Sequence, residues 1–412
     1  MTTILNPTLA NRLGTVRKCR LFAPSRNVHV IYLALFLLFT GAANAFDSGS
    51  NGSYGALNVT ANTVIPLPPD GILHCTTITV AAGSNLSFIP NADNTPVYLL
   101  ATGDVNIAGR INVSGGNPVG KRGGIGGPGG FGGGQGGPNP GDGYGPGGGK
   151  GGWGAYSNPP AGIKNLGAGG FGTVGNSLSS GVVSSVYGNS ILIPLVGGSG
   201  GGGSNDINPT HYLGGGGGGG ALLIASNTRI ALSNNDALSA QGGFGGQDSS
   251  IGGGSGGAIR LIAPVVSGNE TIHVQGNWGG GFGRIRVDAL TNGLILNGPS
   301  AAYATFGANL VVFPPNLPEI RITQAAGKTI PLDQKEPVFV LLPPGSPATQ
   351  TVQVQVKNFN GIVPLSAVVT PESGAKSLYD FQIDNTNGQP TSGTVQVQIP
   401  AGVSTRLDVW SR

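Results

Sequence analysis

The sequence predicts an all-β protein, in which a glycine-rich, parallel β-helix-like solenoid with a polyglycine-II-type insertion precedes a small immunoglobulin-like β-sandwich. Three observations support this prediction. Short runs of β-branched residues alternate with polar ones, four apolar segments resemble one another, and 78 of the 412 residues are glycine. A period of two is typical of strands, and repeated strand units are typical of solenoids.

The first 45 residues have the features of a secretory signal peptide. Basic residues precede an apolar run from Val28 to Phe39, and small residues follow as far as Ala45. We expect cleavage after Ala45, so that the exported chain is secreted or displayed at the cell surface and keeps no stable membrane span. An uncleaved anchor is the alternative, but the run is shorter than the roughly 20 residues that cross a bilayer.

Charge and cysteine content narrow the possible partners. Five of the 21 basic residues lie in the leader, which leaves 16 basic against 17 acidic residues and no basic block. This balance argues against a nucleic-acid partner. Cys75 is the only cysteine after the leader, so no intramolecular disulfide forms, and we expect this thiol to be buried. The Gly-Lys pairs fail the full phosphate-loop motif, and we expect no cofactor and no metal.

Four similar segments predict the coils of the solenoid, which we place at residues 46–313. Each segment is followed by a turn and a second short apolar strand, and in three copies a glycine pair comes next. Stacked coils would bury an apolar interior that one coil cannot bury alone. The four segments are Val97–Ala101, Ala221–Ala225, Ala258–Ala263 and Arg284–Ala289.

A glycine insertion at about residues 114–220 separates the first two copies. Between Gly123 and Gly154, 20 of 32 residues are glycine, and many of them form Gly-Gly-X triplets closed by residues such as Phe131 and Trp153. A period of three matches the three residues per turn of an extended polyproline-II-type helix, so we expect packed extended helices. A disordered glycine-rich spacer is the alternative.

Glycine becomes scarce after a proline-rich junction at Phe313–Pro318. In residues 319–412, valines alternate with glutamines, for example in Val352–Val356, and turn residues separate the runs. Strands with one apolar and one polar face predict a small antiparallel sandwich of immunoglobulin-like type without the cysteine pair. We expect Trp410 to close one end of its core.

The chain offers candidates for ligand contact, although no catalytic motif is present. Exposed aromatic residues among glycines suit carbohydrate or surface contact, with core packing as the competing interpretation. Alternating charges at Arg284, Arg286 and Asp288 suit an acidic sugar, with a solvated charge ladder as the competing interpretation. The candidates are Phe131, Tyr144, Trp153, Phe244, Trp278, Arg284 and Arg286.

A polysaccharide-processing lyase or glycosidase on the same scaffold is the alternative function. Such an enzyme needs two or three carboxylates that converge on a groove. No closely spaced aspartate pair occurs, yet stacked coils can bring distant residues together. The histidines His74, His211 and His273 are expected to be structural or exposed. The aspartates that could converge are Asp93, Asp104, Asp142, Asp206 and Asp236.

Several stretches resemble secreted bacterial glycine-rich β-solenoid proteins, a largely uncharacterised group. The stretches are Phe46–Ser50, Leu67–Gly71, Asn94–Val105, Ile111–Gly116 and Pro400–Asp408. The resemblance implies export and a β-rich fold, and it supplies no catalytic residues. The Gly-Gly-X segment also resembles the polyglycine-II regions of phage adhesins. We therefore expect a secreted or cell-surface structural or adhesive protein without enzymatic activity, whose partner is an extracellular glycan or another cell-surface component.

Overall fold

The computed structural model describes residues 46–153, 166–176, 184–206, 208, 212–246, 252–331 and 338–411. Within these residues the protein is all-β and contains a large, mostly parallel sheet, which confirms the predicted class at that level. The predicted leader and His211 lie outside the described residues. In the part of the chain that the structure describes, no helix is long and apolar enough to cross a membrane.

The strands are short in the first half of the chain and longer towards its end. The first group is β1 Gly55–Val59, β2 Thr63–Pro66, β3 Ile72–Val80, β4 Asn85–Ile89, β5 Val97–Ala101, β6 Val105–Ile107, β7 Arg110–Asn112, β8 Gly152–Trp153 and β9 Ser204–Asn205. The second group is β10 Ala221–Ser226, β11 Arg229–Leu232, β12 Leu238–Ser239, β13 Ala258–His273, β14 Arg284–Asn297 and β15 Ala304–Gly307. A 3-10 turn, Pro299–Tyr303, precedes β15. The last group is β16 Glu319–Ala325, β17 Lys328–Thr329, β18 Thr349–Lys357, β19 Ile362–Pro371, β20 Ser377–Asp384, β21 Thr391–Gln398 and β22 Thr405–Ser411.

The four similar segments found in the sequence lie side by side in the large sheet. Strands β5, β10, β13 and β14 pair in that order, and every pair is parallel and in register. One column across these strands consists of Val97, Leu222, Ile259 and Ile285, which are at most 1% exposed. Each segment therefore adds one apolar layer to a shared core.

The same repeats build two further rows of parallel pairs. Strands β3, β6, β11, β13 and β14 form the second row, and β2, β4, β7, β12 and β13 form the third. The largest hydrophobic cluster lies between the rows. Cys75 belongs to it and is fully buried, and this burial raises the pKa of its thiol to about 11. The expectation of a buried cysteine is confirmed.

A second apolar cluster covers the other side of β10. Leu223 and Ala225 pack there against Phe171, Leu192 and neighbouring apolar residues outside the sheet. Because both faces of β10 are covered, all six of its residues are buried. This double burial matches its almost uninterrupted apolar sequence.

The glycine insertion forms a network of backbone hydrogen bonds centred on Gly214–Gly220. The N–H groups of Gly214, Gly217 and Gly220 donate to segment 113–120, those of Gly215 and Gly218 to segment 128–134, and those of Gly216 and Gly219 to segment 252–255. These bonds are 2.8–3.0 Å long and recur with a period of three. The carbonyl groups of Gly215–Gly219 accept bonds from segments 124–127 and 198–201 and from Gly243. We call residues 113–136, 141–151, 197–204, 213–220, 240–243 and 252–258 the glycine lattice.

The central residues of the lattice are glycines because there is no space for a Cβ atom, and not because their backbone conformation requires glycine. A Cβ atom added to any residue from Gly214 to Gly220 would lie closer than 3.0 Å to a backbone atom of a neighbouring segment. At Gly218 that atom is the carbonyl oxygen of Gly198. None of these glycines has a positive φ. Side chains are therefore excluded because the backbones themselves are in contact.

The C-terminal strands form two antiparallel sheets, which we call the C-terminal module. Strands β17, β16, β18 and β21 make one sheet, and β20, β19 and β22 make the other. Val352, Val354 and Val356 are buried, whereas the intervening glutamines are partly exposed. Residues of both sheets, including Leu365 and Ile383, complete one core cluster.

Candidate functional site

Arg286 and Asp288 do not form the solvated charge ladder that was one of the two sequence interpretations. Asp288 is fully buried, and its two carboxylate oxygens accept hydrogen bonds from Arg260 and Arg286. Burial lowers the pKa of Arg260, and the hydrogen bonds and negative charge of Asp288 oppose this lowering. Alternation correctly placed Arg286 and Asp288 on one side of the strand, but it could not show that Asn309 bonds to Arg260 and Asp288 on that side.

Arg284 lies on the same side of β14 and is only partly covered. Its guanidinium lies 5.8 Å from the ring centre of Phe171, and Nη2 donates to the carbonyl of Tyr187 at 3.4 Å. Its buried Nε has no hydrogen-bond partner among the described residues. Desolvation lowers the pKa of Arg284. The single long hydrogen bond indicates that aromatic packing holds this side chain.

Phe131 and Tyr144 lie where the glycine lattice contacts the C-terminal module. Phe131 is 8% exposed, so it is not the exposed aromatic residue that the sequence suggested. Its ring meets Trp410 edge-on at 5.3 Å, and Arg406 lies 5.8 Å from Phe131 and 5.9 Å from Tyr144. Trp410, expected to close one end of the C-terminal core, thus contacts the lattice.

Polar contacts also join the glycine lattice to the C-terminal module. Gln135 donates to Glu372 at 2.7 Å, and Lys376 donates through its backbone N–H to Asp142 and through Nζ to the Gly148 carbonyl. Burial lowers the pKa of Lys376, while the charge of Asp142 opposes that shift. The charged side chains at the junction are therefore held by amide and backbone groups of the opposite region, which is a structural role.

Phe244 and Trp278 form an aromatic pair at the solvent-facing edge of the lattice. Their ring centres are 5.7 Å apart in an edge-to-face arrangement, and Phe244 is 43% exposed. Trp278 has a φ of 40°, a left-handed conformation that is rare outside glycine and clusters at functional sites. Among the residues that the sequence suggested for ligand contact, these two form the aromatic pair that is most exposed to solvent. Trp153, in β8, is half-buried beside β9.

Residues with amide side chains flank this aromatic pair, either next to it along the chain or in a hydrogen-bonded neighbouring repeat. Asn117 accepts from the Phe244 N–H, and Asn277 donates to the Gly242 carbonyl. Gln241 lies between neighbouring repeats, since its carbonyl accepts from Gly115 and its neighbour Gly242 donates to Gln275. We name this surface the aromatic–amide strip. It comprises Asn117, Gln241, Phe244, Gln275, Asn277 and Trp278.

A directed chain of hydrogen bonds anchors one end of the strip. Ser300 donates to Oε1 of Gln275 at 3.0 Å, which leaves the Gln275 NH₂ group to donate to Nδ1 of His273. Nε2 of His273 then donates to Asp236 at 2.6 Å. The basic ring nitrogen therefore faces an amide donor and is not available to activate a nucleophile.

The aspartates considered for catalysis have separate partners. Asp104 bonds to Thr228 and Arg229, Asp142 to Lys150 and the Gly151 N–H, and Asp236 to His273. Asp93 and Asp206 also have partners. Among the described residues, no group of three or more histidine, cysteine, aspartate or glutamate side chains could hold a metal ion.

Sequence reasoning identified Phe244 and Trp278 but missed Asn117, Gln241, Gln275 and Asn277. The signal for these amides was present, because each lies next to a glycine of the repeat. Their common surface depends on the pairing of repeats that are far apart in the chain. Comparison with known proteins adds no further assignment: no family model, no curated protein and no solved structure matches this chain.

Proposed function

We propose that this chain is a secreted or cell-surface structural and adhesive protein without enzymatic activity. In this proposal the large sheet and the glycine lattice form a β-solenoid with a polyglycine-II-type insertion, and the C-terminal module is an immunoglobulin-like sandwich. The scaffold holds a contact surface in place for an extracellular glycan or another component of a cell surface.

Three structural features support the scaffold part of the proposal. The strand repeats stack in register, which is how solenoids build a core. The hydrogen bonds of Gly214–Gly220 recur every three residues and connect to segments on several sides. Packed extended helices with three residues per turn require this pattern. Two antiparallel sheets share one core in the C-terminal module, as in a sandwich.

The exposed Phe244–Trp278 pair is the observation that supports the adhesive part most directly. Phe244 directly follows lattice residues 240–243, and the Trp278 carbonyl accepts a hydrogen bond from Gly253 of the lattice, so the contact surface is held by closely packed backbones and loses little conformational entropy on binding. Rigid aromatic side chains contribute large contact areas to recognition surfaces. The engaged aspartates and the blocked His273 ring support the non-enzymatic part.

Attachment of the exported chain to extracellular material tests this function. Residues 46–412 would be labelled and incubated with intact cells, isolated cell-wall fractions and a glycan array. We expect saturable binding to at least one surface, with no release of reducing sugar or of unsaturated product. Absence of binding to all of them would reject adhesion, and product release that depends on one of the aspartates would favour the polysaccharide-processing enzyme.

A further inference from the structure

We propose that the aromatic–amide strip binds an uncharged polysaccharide, with Phe244 and Trp278 stacking on sugar rings and the amides selecting their hydroxyl groups. This inference rests on the proposed adhesive function and names the chemical class of the ligand.

The aromatic pair gives the strip an apolar surface of limited size. Phe244 is 43% exposed and meets Trp278 edge-to-face, so the two rings present surfaces at a steep angle, 74°, to each other. Sugar rings have apolar C–H faces that suit aromatic rings, whereas a flat apolar protein partner needs a larger continuous patch. The geometry favours a ligand with small, separate apolar faces.

Residues near the aromatic pair, along the chain or in the neighbouring repeat, carry unused hydrogen-bonding groups. The side-chain amide of Gln241 has no partner in the described protein, and Asn117 and Asn277 each use only one of their two polar atoms. None of these free atoms is among the buried atoms that lack a partner, so water reaches them. Amides both donate and accept, which is the combination that hydroxyl groups require.

Among the described residues near the strip, Arg122 is the charged side chain without an assigned contact. Asp236 bonds to His273 at one end, and Lys121, in the turn after Asn117, lies 5.1 Å from the ring centre of Tyr212. Arg122 in the same turn is exposed. An acidic polysaccharide would need unpaired cations along the strip, but the strip residues are neutral, so an uncharged ligand fits them better.

Affinity electrophoresis of residues 46–412 tests the ligand class. The gels would contain hydroxyethylcellulose or dextran as uncharged polymers, and polygalacturonate or alginate as anionic ones. We expect retardation by at least one uncharged polymer that persists at about 0.5 M salt, where charge–charge attraction is strongly screened. Phe244→Ala should weaken this binding about tenfold, and Gln241→Ala about threefold to tenfold.

Matched variants separate the strip from other exposed groups. Phe339→Ala removes an aromatic residue that is 88% exposed in the C-terminal module and should leave binding unchanged. Arg122→Gln should also have no effect. Retardation only by anionic polymers, a loss caused by Arg122→Gln, or unchanged binding by Phe244→Ala would overturn the inference. If no polymer retards the chain although it attaches to cells, the ligand class is wrong while the adhesive function stands.

Discussion

The glycine lattice and the C-terminal module reach compact structures by opposite means. In the lattice, segments contact one another backbone to backbone, and the hydrogen bonds of Gly214–Gly220 leave no space for a Cβ atom. In the module, buried side chains such as Leu365 and Val354 fill the space between two sheets. The same chain thus uses the absence of side chains in one region and their volume in the other.

This difference predicts which kind of substitution destabilises each region. Interiors are close-packed in both cases, so a change of volume is costly in either direction. The module should be sensitive to the removal of atoms, and the lattice to their addition. Two substitutions test this contrast, a third tests the junction between the two regions, and a fourth tests a buried carboxyl group of the large sheet, in order from the largest expected effect to the smallest.

Leu365→Ala should have the largest effect, because it leaves a cavity in the core of the C-terminal module. Leu365 is fully buried, and truncations of this kind cost about 2–5 kcal/mol. The free energy of unfolding from urea titration measures the loss. Leu378→Ala, at a side chain that is 59% exposed on β20, is the matched control and should change it by less than about 0.5 kcal/mol.

Gly218→Ala should destabilise the protein by about 1–3 kcal/mol, because its added methyl group would overlap the Gly198 carbonyl oxygen. Gly361→Ala is the control, since no atom lies within 4 Å of a Cβ at that position. Thermal unfolding of both variants makes the comparison. Equal stability of the two would contradict the close packing of the lattice.

Arg406→Ala should weaken the junction between the two regions by about 0.5–1 kcal/mol, because it removes the cation above Phe131 and Tyr144. A double-mutant cycle with Phe131→Leu would give the coupling energy. Arg229→Ala removes an exposed arginine paired with Asp104 and serves as the control. A coupling energy of zero would show that the aromatic contact does not join the regions.

Glu270→Gln should have the smallest effect, and its sign depends on pH. Glu270 is 2% exposed, and burial raises the pKa of its carboxyl group, while backbone N–H groups of Asn269 and Asn234 oppose the shift. Because the pKa is raised by folding, its contribution to stability is complete below the unfolded value of about 4.3 and is lost as the pH rises through the folded value.

Glu270→Gln should therefore unfold at a higher temperature than the wild type at pH 7. The difference in unfolding temperature should shrink as the pH approaches 4. Melting curves across this range measure it. Glu372→Gln changes an exposed glutamate and provides the charge-matched control at the junction. A difference that stays constant with pH would contradict the assigned cause.

Local patterns predicted the strands and the repeated segments. Alternation identified the buried valines of β18, and the similarity of the four segments anticipated that β5, β10, β13 and β14 would be neighbours. The candidate surface was predicted only in part. Phe244 and Phe131 both stand among glycines in the sequence, yet one is exposed and the other is covered by Trp410. The difference comes from Trp410 in β22, about 280 residues after Phe131 along the chain.

The sequence by itself determined that the chain forms strands, where glycine is concentrated and which segments repeat, because these properties are local patterns along the chain. The tertiary structure decided which repeated residues share a surface, that Asp288 is buried between Arg260 and Arg286, and that Asn117 of a separate repeat bonds to the backbone of Phe244. Those outcomes depend on which segments stack together and on what covers each face. The sequence marks the repeats, but the contacts that cover or expose each residue form only when distant segments pack together.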